Sequence, residues 1–307
     1  MKKLPKPATI LQLLKKAFGE FQQNDPLRMA AATAFFATFA LPAIILILIV
    51  VFGLVMDRRF VGRSLVEALS GVLGPNSAEE IRNTLRNVRT LASTWYIATG
   101  GFIFLLFVST TLFKVIKDSL NQLWRIRQSN GRGVVRQLKQ RGTSFLVILF
   151  AGIFFLATLM VEGGVALLRQ QLPDLLPGEG SVIWAITSQV VSLSVVTCWF
   201  SILFRYLPDG HTTWRITMGG AFFTALLFTL GKFLLRFLLS YSNMSTVYGT
   251  STSFVLMLLF IFYCAFIFYY GACFLKVWAK HKNKPIIPRY YAEAYTWQQV
   301  KEESLDR

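Results

Sequence analysis

Charge is scarce in this chain. Only 15% of its 307 residues are Asp, Glu, Lys or Arg, against about 25% in soluble domains. Acids are the scarcer sign: 15 against 32 bases, a formal net charge of +17. Histidine is almost missing, with His211 and His281 far apart. There are three cysteines, Cys198, Cys264 and Cys273, all inside apolar runs. Their spacing fits neither a zinc site nor a disulfide framework, so they are expected to be apolar packing residues. No HExxH, GxSxG, P-loop or paired-cysteine pattern occurs. Two-metal phosphodiester chemistry needs several converging carboxylates, and the apolar runs hold almost none. The expectation is therefore no enzyme, no catalytic residue, no cofactor and no metal site.

Apolar surface is what the chain has in excess. Hydrophobic residues make up 54%, and 28 residues are Phe. A membrane-spanning helix needs about 20 mostly apolar residues. Six segments qualify: Met29–Met56, Leu91–Phe113, Thr143–Leu168, Ser181–Phe204, Trp214–Leu239 and Thr250–Trp278. Barrel strands are short and alternating, whereas these runs are long and apolar all round. The expected fold is all-α: a polytopic membrane protein with six transmembrane helices. Its divisions are an amphipathic segment over 1–25, a membrane domain over 26–280 and a tail over 281–307.

The cations are unevenly spread. Alternate links, with the two ends of the chain, carry 23 of the 32 bases; the opposite links carry seven, and Lys232 and Arg236 lie inside span five. The opposite side also has four acids within 57–90. Bases accumulate on cytoplasmic loops, so both termini are assigned to the cytoplasm. Anionic lipid headgroups, not nucleic acid, are the expected partners of this charge.

Two segments join the apolar and cationic patterns. "KVIKDSLNQLWRIRQSNGRG", Lys114–Gly133, follows span two directly. Leu112, Ile116, Leu120, Leu123 and Trp124 recur at helical spacing, with Lys117, Gln122, Arg125 and Gln128 largely elsewhere. This predicts an amphipathic continuation of the span, bending toward the headgroups. Before span one, Ile10, Leu14, Ala17, Phe18 and Phe21 mark the apolar face of a second interfacial helix. "NDP", Asn24–Pro26, should break that helix, with Asp25 as N-cap and Pro26 first in the next. Between spans one and two, Ser77 with Glu80 forms a capping box. It predicts an external helical segment within 57–90.

Several residues stand out as candidates. Ala30, Ala34 and Thr38 are small at four-residue spacing, with Thr33 and Ala37 as a second pair, and should form a packing seam. Pro42 inside span one should kink it. Lys232 and Arg236 lie one turn apart in the outer part of span five. Snorkelling to the outer headgroups explains them; so does a cationic pair lining an outward cavity for an anion. Glu162, at similar depth in span three, is the expected partner of that pair.

Four stretches carry a resemblance: "AAATAFFATFALPAIILILIVVFG" (Ala30–Gly53), "KDSLNQLW" (Lys117–Trp124), "RYLPDGHTTWR" (Arg205–Arg215) and "YSNMSTVYGTSTSFVLMLLFIFYCAFIFYYGACF" (Tyr241–Phe274). Together they resemble the YihY/BrkB family of bacterial inner-membrane proteins. The resemblance implies six spans with both termini inside. It also marks Asn121 and Trp124 in the extension of span two, and Tyr248 with Gly249 before span six. Where the family usually has Gly-Ala-Glu, this chain has Gly271-Ala272-Cys273, which puts any role of that acid in doubt. The family's historical ribonuclease label finds no support in these residues. A link of some members to envelope lipids suits the cationic pair. The expectation is thus a non-enzymatic membrane protein that binds or transports an anionic lipid or small anion. The alternative is a scaffold for envelope machinery, acting as a homo-oligomer or with an envelope protein, and less favoured is a membrane-bound hydrolase.

Overall fold

A computed structural model describes residues 7–52, 57, 61–63, 66, 82–83, 95–128, 180–241 and 252–296. The predicted third span, the capping box Ser77/Glu80, Glu162, Tyr248 and Gly249 lie outside the described residues. The described chain is mostly helical. Its helices are α1 (Pro7–Gln22), α2 (Pro26–Phe52), α3 (Trp95–Trp124), α4 (Gly180–Tyr206), α5 (Trp214–Tyr241) and α6 (Thr252–His281). Windows in α4, α5 and α6 (Gln189–Tyr206, Trp214–Phe233 and Phe254–His281) are long and apolar enough to cross a membrane.

α6 is the hub. It packs against α1, α2, α3 and α5, while α2 also pairs with α3 and α4 with α5. Tyr269, Ala272, Cys273 and Leu275 on α6 are fully buried. Lipid tails are as apolar as leucine, so helix association in a bilayer relies on close packing and hydrogen bonds. Both are visible. A Cβ on Gly220 would lie 2.8 Å from Leu275 Cβ, and one on Gly271 would overlap Thr224 Oγ1. Phe204 and Phe268 stack with centroids 4.9 Å apart and planes 7° from parallel. Several helix hydroxyls are satisfied one turn back, as in Thr197 Oγ1 to Leu193 O, Ser201 Oγ to Thr197 O and Thr224 Oγ1 to Gly220 O.

The small residues of α2 are in the interior: Ala30, Thr33, Ala34, Ala37 and Thr38 are all buried. Thr33 Oγ1 and Tyr269 Oη are 2.6 Å apart. Pro42 lies inside α2, which continues past it to Phe52.

Local signals fix the helix ends. Pro26 is the first residue of α2, and Asp25 O accepts the first bond, from Met29 N at 3.2 Å. Asp25 does so from a left-handed backbone (φ 51°), not the extended one usual at an N-cap. Asn24 Nδ2 donates to Glu20 O at 2.6 Å and closes the end of α1. α6 ends in a Schellman motif. Asn283 is left-handed (φ 53°), its N–H reaches Lys280 O at 3.1 Å, and Lys284 N reaches Ala279 O at 3.0 Å.

Two sequence expectations change here. α3 ends at Trp124, where Arg125 turns left-handed (φ 56°). Arg125 and Gln128 therefore do not belong to the helix; Ile126–Gln128 is strand β1. The apolar face of the extension, Leu120, Leu123 and Trp124, is buried in the protein core, not laid on headgroups. In α1 the buried positions are Leu13, Ala17 and Phe21, while Ile10 and Phe18 are exposed. The reason is the same in both: α6 offers a protein surface that these faces fill first.

Two small antiparallel ladders finish this end. β1 pairs with β4 (Ala292–Ala294), with Arg127 opposite Glu293. β2 (Gly210–His211) pairs with β3 (Ile287–Pro288). The segment after α6 thus returns to the ends of α3 and α4.

Candidate functional site

The polar end of the bundle gathers the C-termini of α1, α3, α4 and α6 with the start of α5. Its centre is Asp209, in the turn after α4 and only 1% exposed. A buried carboxylate must be paired and hydrogen-bonded, and this one is. Lys117 Nζ is 2.8 Å from Oδ1, Asn121 Nδ2 donates to Oδ2 at 2.8 Å and Gln128 Nε2 donates to Oδ2 at 3.0 Å. The backbone joins in: Asp209 N donates to Asn121 Oδ1 at 2.8 Å, and Arg289 N donates to Asp209 O at 2.9 Å. Burial pushes the Asp209 carboxyl up, but Lys117 and the amides of Gln128 and Asn121 outweigh it and hold the group below its usual range.

A second node ties α1 to the same end. Glu20 Oε2 lies 2.7 Å from Lys276 Nζ and 3.3 Å from Arg125 Nη2. Burial raises the Glu20 carboxyl, and the Lys276 bond with the charges of Lys276, Arg125 and Lys280 brings it below its ordinary value. Trp124 Nε1 donates to Ala272 O at 3.1 Å, which pins α3 to α6 beside Cys273. Cys273 is fully buried.

The structure brings Asn121 and Trp124 together at this end. It places Ala34, Thr38 and Pro42 along α2. Lys232 is elsewhere: about 27 Å along α5 from Trp214, at 1.5 Å per residue. It is half-buried, with Nζ 5.9 Å from the centroid of Phe228. Arg236 follows one turn later in the same helix. Sequence reasoning missed Asp209 and Glu20. "LPDG" reads as a turn, and only a lone acid amid "RYLPDGHTTWR" hinted that the carboxylate has a cationic partner. Among the described residues, no three His, Cys, Asp or Glu side chains come together as a metal site.

Comparison with known proteins places these features in a family. The model described as virulence factor BrkB matches residues 17–286. A UPF0761 membrane protein of Teredinibacter turnerae is 24% identical over 280 residues, covering 91% of this chain and 63% of the relative. One from Pseudomonas paraeruginosa is 25% identical over 268 residues, covering 84% and 62%. One from Stenotrophomonas maltophilia is 24% identical over 274 residues, covering 87% and 60%. The chain thus spans about three-fifths of the length of the curated relatives it matches. No solved structure matches it.

Proposed function

Because the chain belongs to the virulence factor BrkB family of membrane proteins, we propose that it is a six-span protein of the bacterial inner membrane that binds or moves an anionic lipid or small anion. Asp209, Glu20 and the returning strands lie on the cytoplasmic side, where the 23 bases gather. Lys232 and Arg236 then lie toward the outer side and supply charge to an outward-facing cavity, with Glu162 orienting them. Asn121 holds the inner end of span two. No step of covalent chemistry is required.

The observation that carries this reading is Lys232. It sits inside a candidate span, Trp214–Phe233, and is half-buried against protein. An ionisable group there is costly and commonly marks a pathway for a charged solute. Kinked helices often build such sites, and α2 carries Pro42. The test is K232Q/R236Q in proteoliposomes, assayed for anionic-lipid binding and movement. Both should fall at least tenfold; unchanged lipid binding and movement would remove the mechanism.

A scaffold role is the second reading. Ile10, Leu11 and Phe18 of α1 are exposed, as is Tyr290 beyond α6. Purification in mild detergent separates the two: a stoichiometric envelope partner favours the scaffold, and tightly held lipid favours the first reading.

A further inference from the structure

The junction of α4 and α5 leaves individual polar atoms unbonded among the described residues. Arg205, in the last turn of α4, has a buried Nη1 without a hydrogen-bond partner. Thr212, at the same junction and 4% exposed, has a buried Oγ1 that also lacks one. Arg289 lies against Arg205, its Nη2 donating to Arg205 O at 3.2 Å, and its side chain also bonds Tyr291. His211 is half-buried beside them on β2. Among the described residues no carboxylate lies within ion-pairing distance of Arg205 or Arg289. Asp209 is already held by Lys117, Asn121 and Gln128.

Leaving a buried guanidinium nitrogen and a buried hydroxyl without hydrogen bonds is costly. Two unbonded donors seven residues apart, on Arg205 and Thr212, are what an anion seated at this junction would satisfy. Arginine's planar fork suits phosphate. His211 is kept below its usual value by burial and by Arg205 and Arg289, so it can serve as a neutral donor.

The position selects the kind of anion. Tyr206 closes one candidate span and Trp214 opens the next, so the turn lies at headgroup level. The two rings meet edge to face, centroids 6.2 Å apart, and are 50% and 46% exposed. Arg205 lies over Trp214 at 5.4 Å. Exposed Tyr and Trp of this kind belong to the aromatic belt of a bilayer. We propose that Arg205, His211, Thr212 and Arg289 bind the phosphate of an anionic phospholipid of the adjacent leaflet, with Tyr206 and Trp214 against its glycerol and upper chains. This site is separate from Lys232 and Arg236, at the opposite end of α5.

The experiment uses the purified full chain in detergent, with phosphatidylglycerol, phosphatidylcholine or inorganic phosphate added. Lipid retention is read by native mass spectrometry and thermal stability by circular dichroism. Wild type should retain phosphatidylglycerol at least tenfold better than R205Q, with R205K between them. T212V is the second variant, because it keeps every charge. An unbonded hydroxyl without a ligand is neutral or stabilised when replaced by Val, so lipid-free T212V should be at least as stable as wild type and yet hold phosphatidylglycerol several-fold more weakly. Equal retention by wild type, R205Q and T212V overturns the site. Stabilisation by inorganic phosphate with no preference for phosphatidylglycerol overturns the lipid assignment. The losses in R205Q and T212V are read with Lys232 and Arg236 intact; retention lost in K232Q/R236Q but kept in R205Q and T212V would assign the bound lipid to the outer pair and overturn this site.

Discussion

Asn121 and Asp209 clasp each other twice: the amide Nδ2 donates to Asp209 Oδ2 and the backbone N of Asp209 donates back to Asn121 Oδ1, both at 2.8 Å. One side chain thus fixes both the carboxylate and the turn that carries it, and joins α3 to the end of α4. Asn121→Ala leaves a buried carboxylate oxygen and a buried N–H short of a partner. The expected loss is about 2–3 kcal/mol of stability, seen as a lower midpoint in thermal unfolding in detergent. Asn121→Asp should cost more, since it sets a second carboxylate against the first. A midpoint unchanged in both variants contradicts this role.

The same cluster sets a pH dependence. The ordinary values for Asp209 and Glu20 are 3.8 and 4.5, and both are lowered in the fold. A lowered carboxyl binds its proton less readily when folded than unfolded. Its stabilisation is therefore present above the ordinary value and lost as pH falls through the folded one. Unfolding midpoints should hold steady above about pH 5 and drop progressively below it. D209N should start lower and show a shallower acid decline. A wild-type midpoint that rises on acidification below that range would reverse the sign and refute the assignment.

Gly271→Ala probes the close approach of α5 and α6. The added methyl overlaps Thr224 Oγ1, and overpacking of this kind costs about 1–3 kcal/mol. Thr224→Ala removes that oxygen, so the cost of G271A should shrink in a T224A background. A strictly additive double-mutant cycle would show that the two do not meet.

Trp124→Phe should lose one buried hydrogen bond to Ala272 O, about 1 kcal/mol. Trp124→Ala should lose the packing as well, about 3–5 kcal/mol. Chemical denaturation of the two variants side by side measures the difference, and equal losses would mean that the ring contributes no packing.

The apolar runs made the long helices legible, because their apolar length exceeds what soluble helices need. Pro26 and "NDP" likewise announced the break between α1 and α2. Asn121 stood out in its own segment, but its partner did not. Asp209 is 88 residues away, and nothing local in "LPDG" says that its carboxylate is buried. Glu20 and Lys276 are 256 apart. The short strands Ile126–Gln128 and Ala292–Ala294 show no alternation long enough to read. The extension of α3 was the instructive error: helical spacing showed that one face is apolar, and it does not distinguish a lipid surface from α6.

The central claim is that the cationic end faces the cytoplasm and holds the spans upright. Single cysteines at Lys16 and Tyr290, in a chain lacking Cys198, Cys264 and Cys273, test it directly; both positions are exposed, Tyr290 at 93%. A membrane-impermeant maleimide added to spheroplasts should label neither site until the inner membrane is opened, and then both. Labelling of either site in intact spheroplasts would contradict the account.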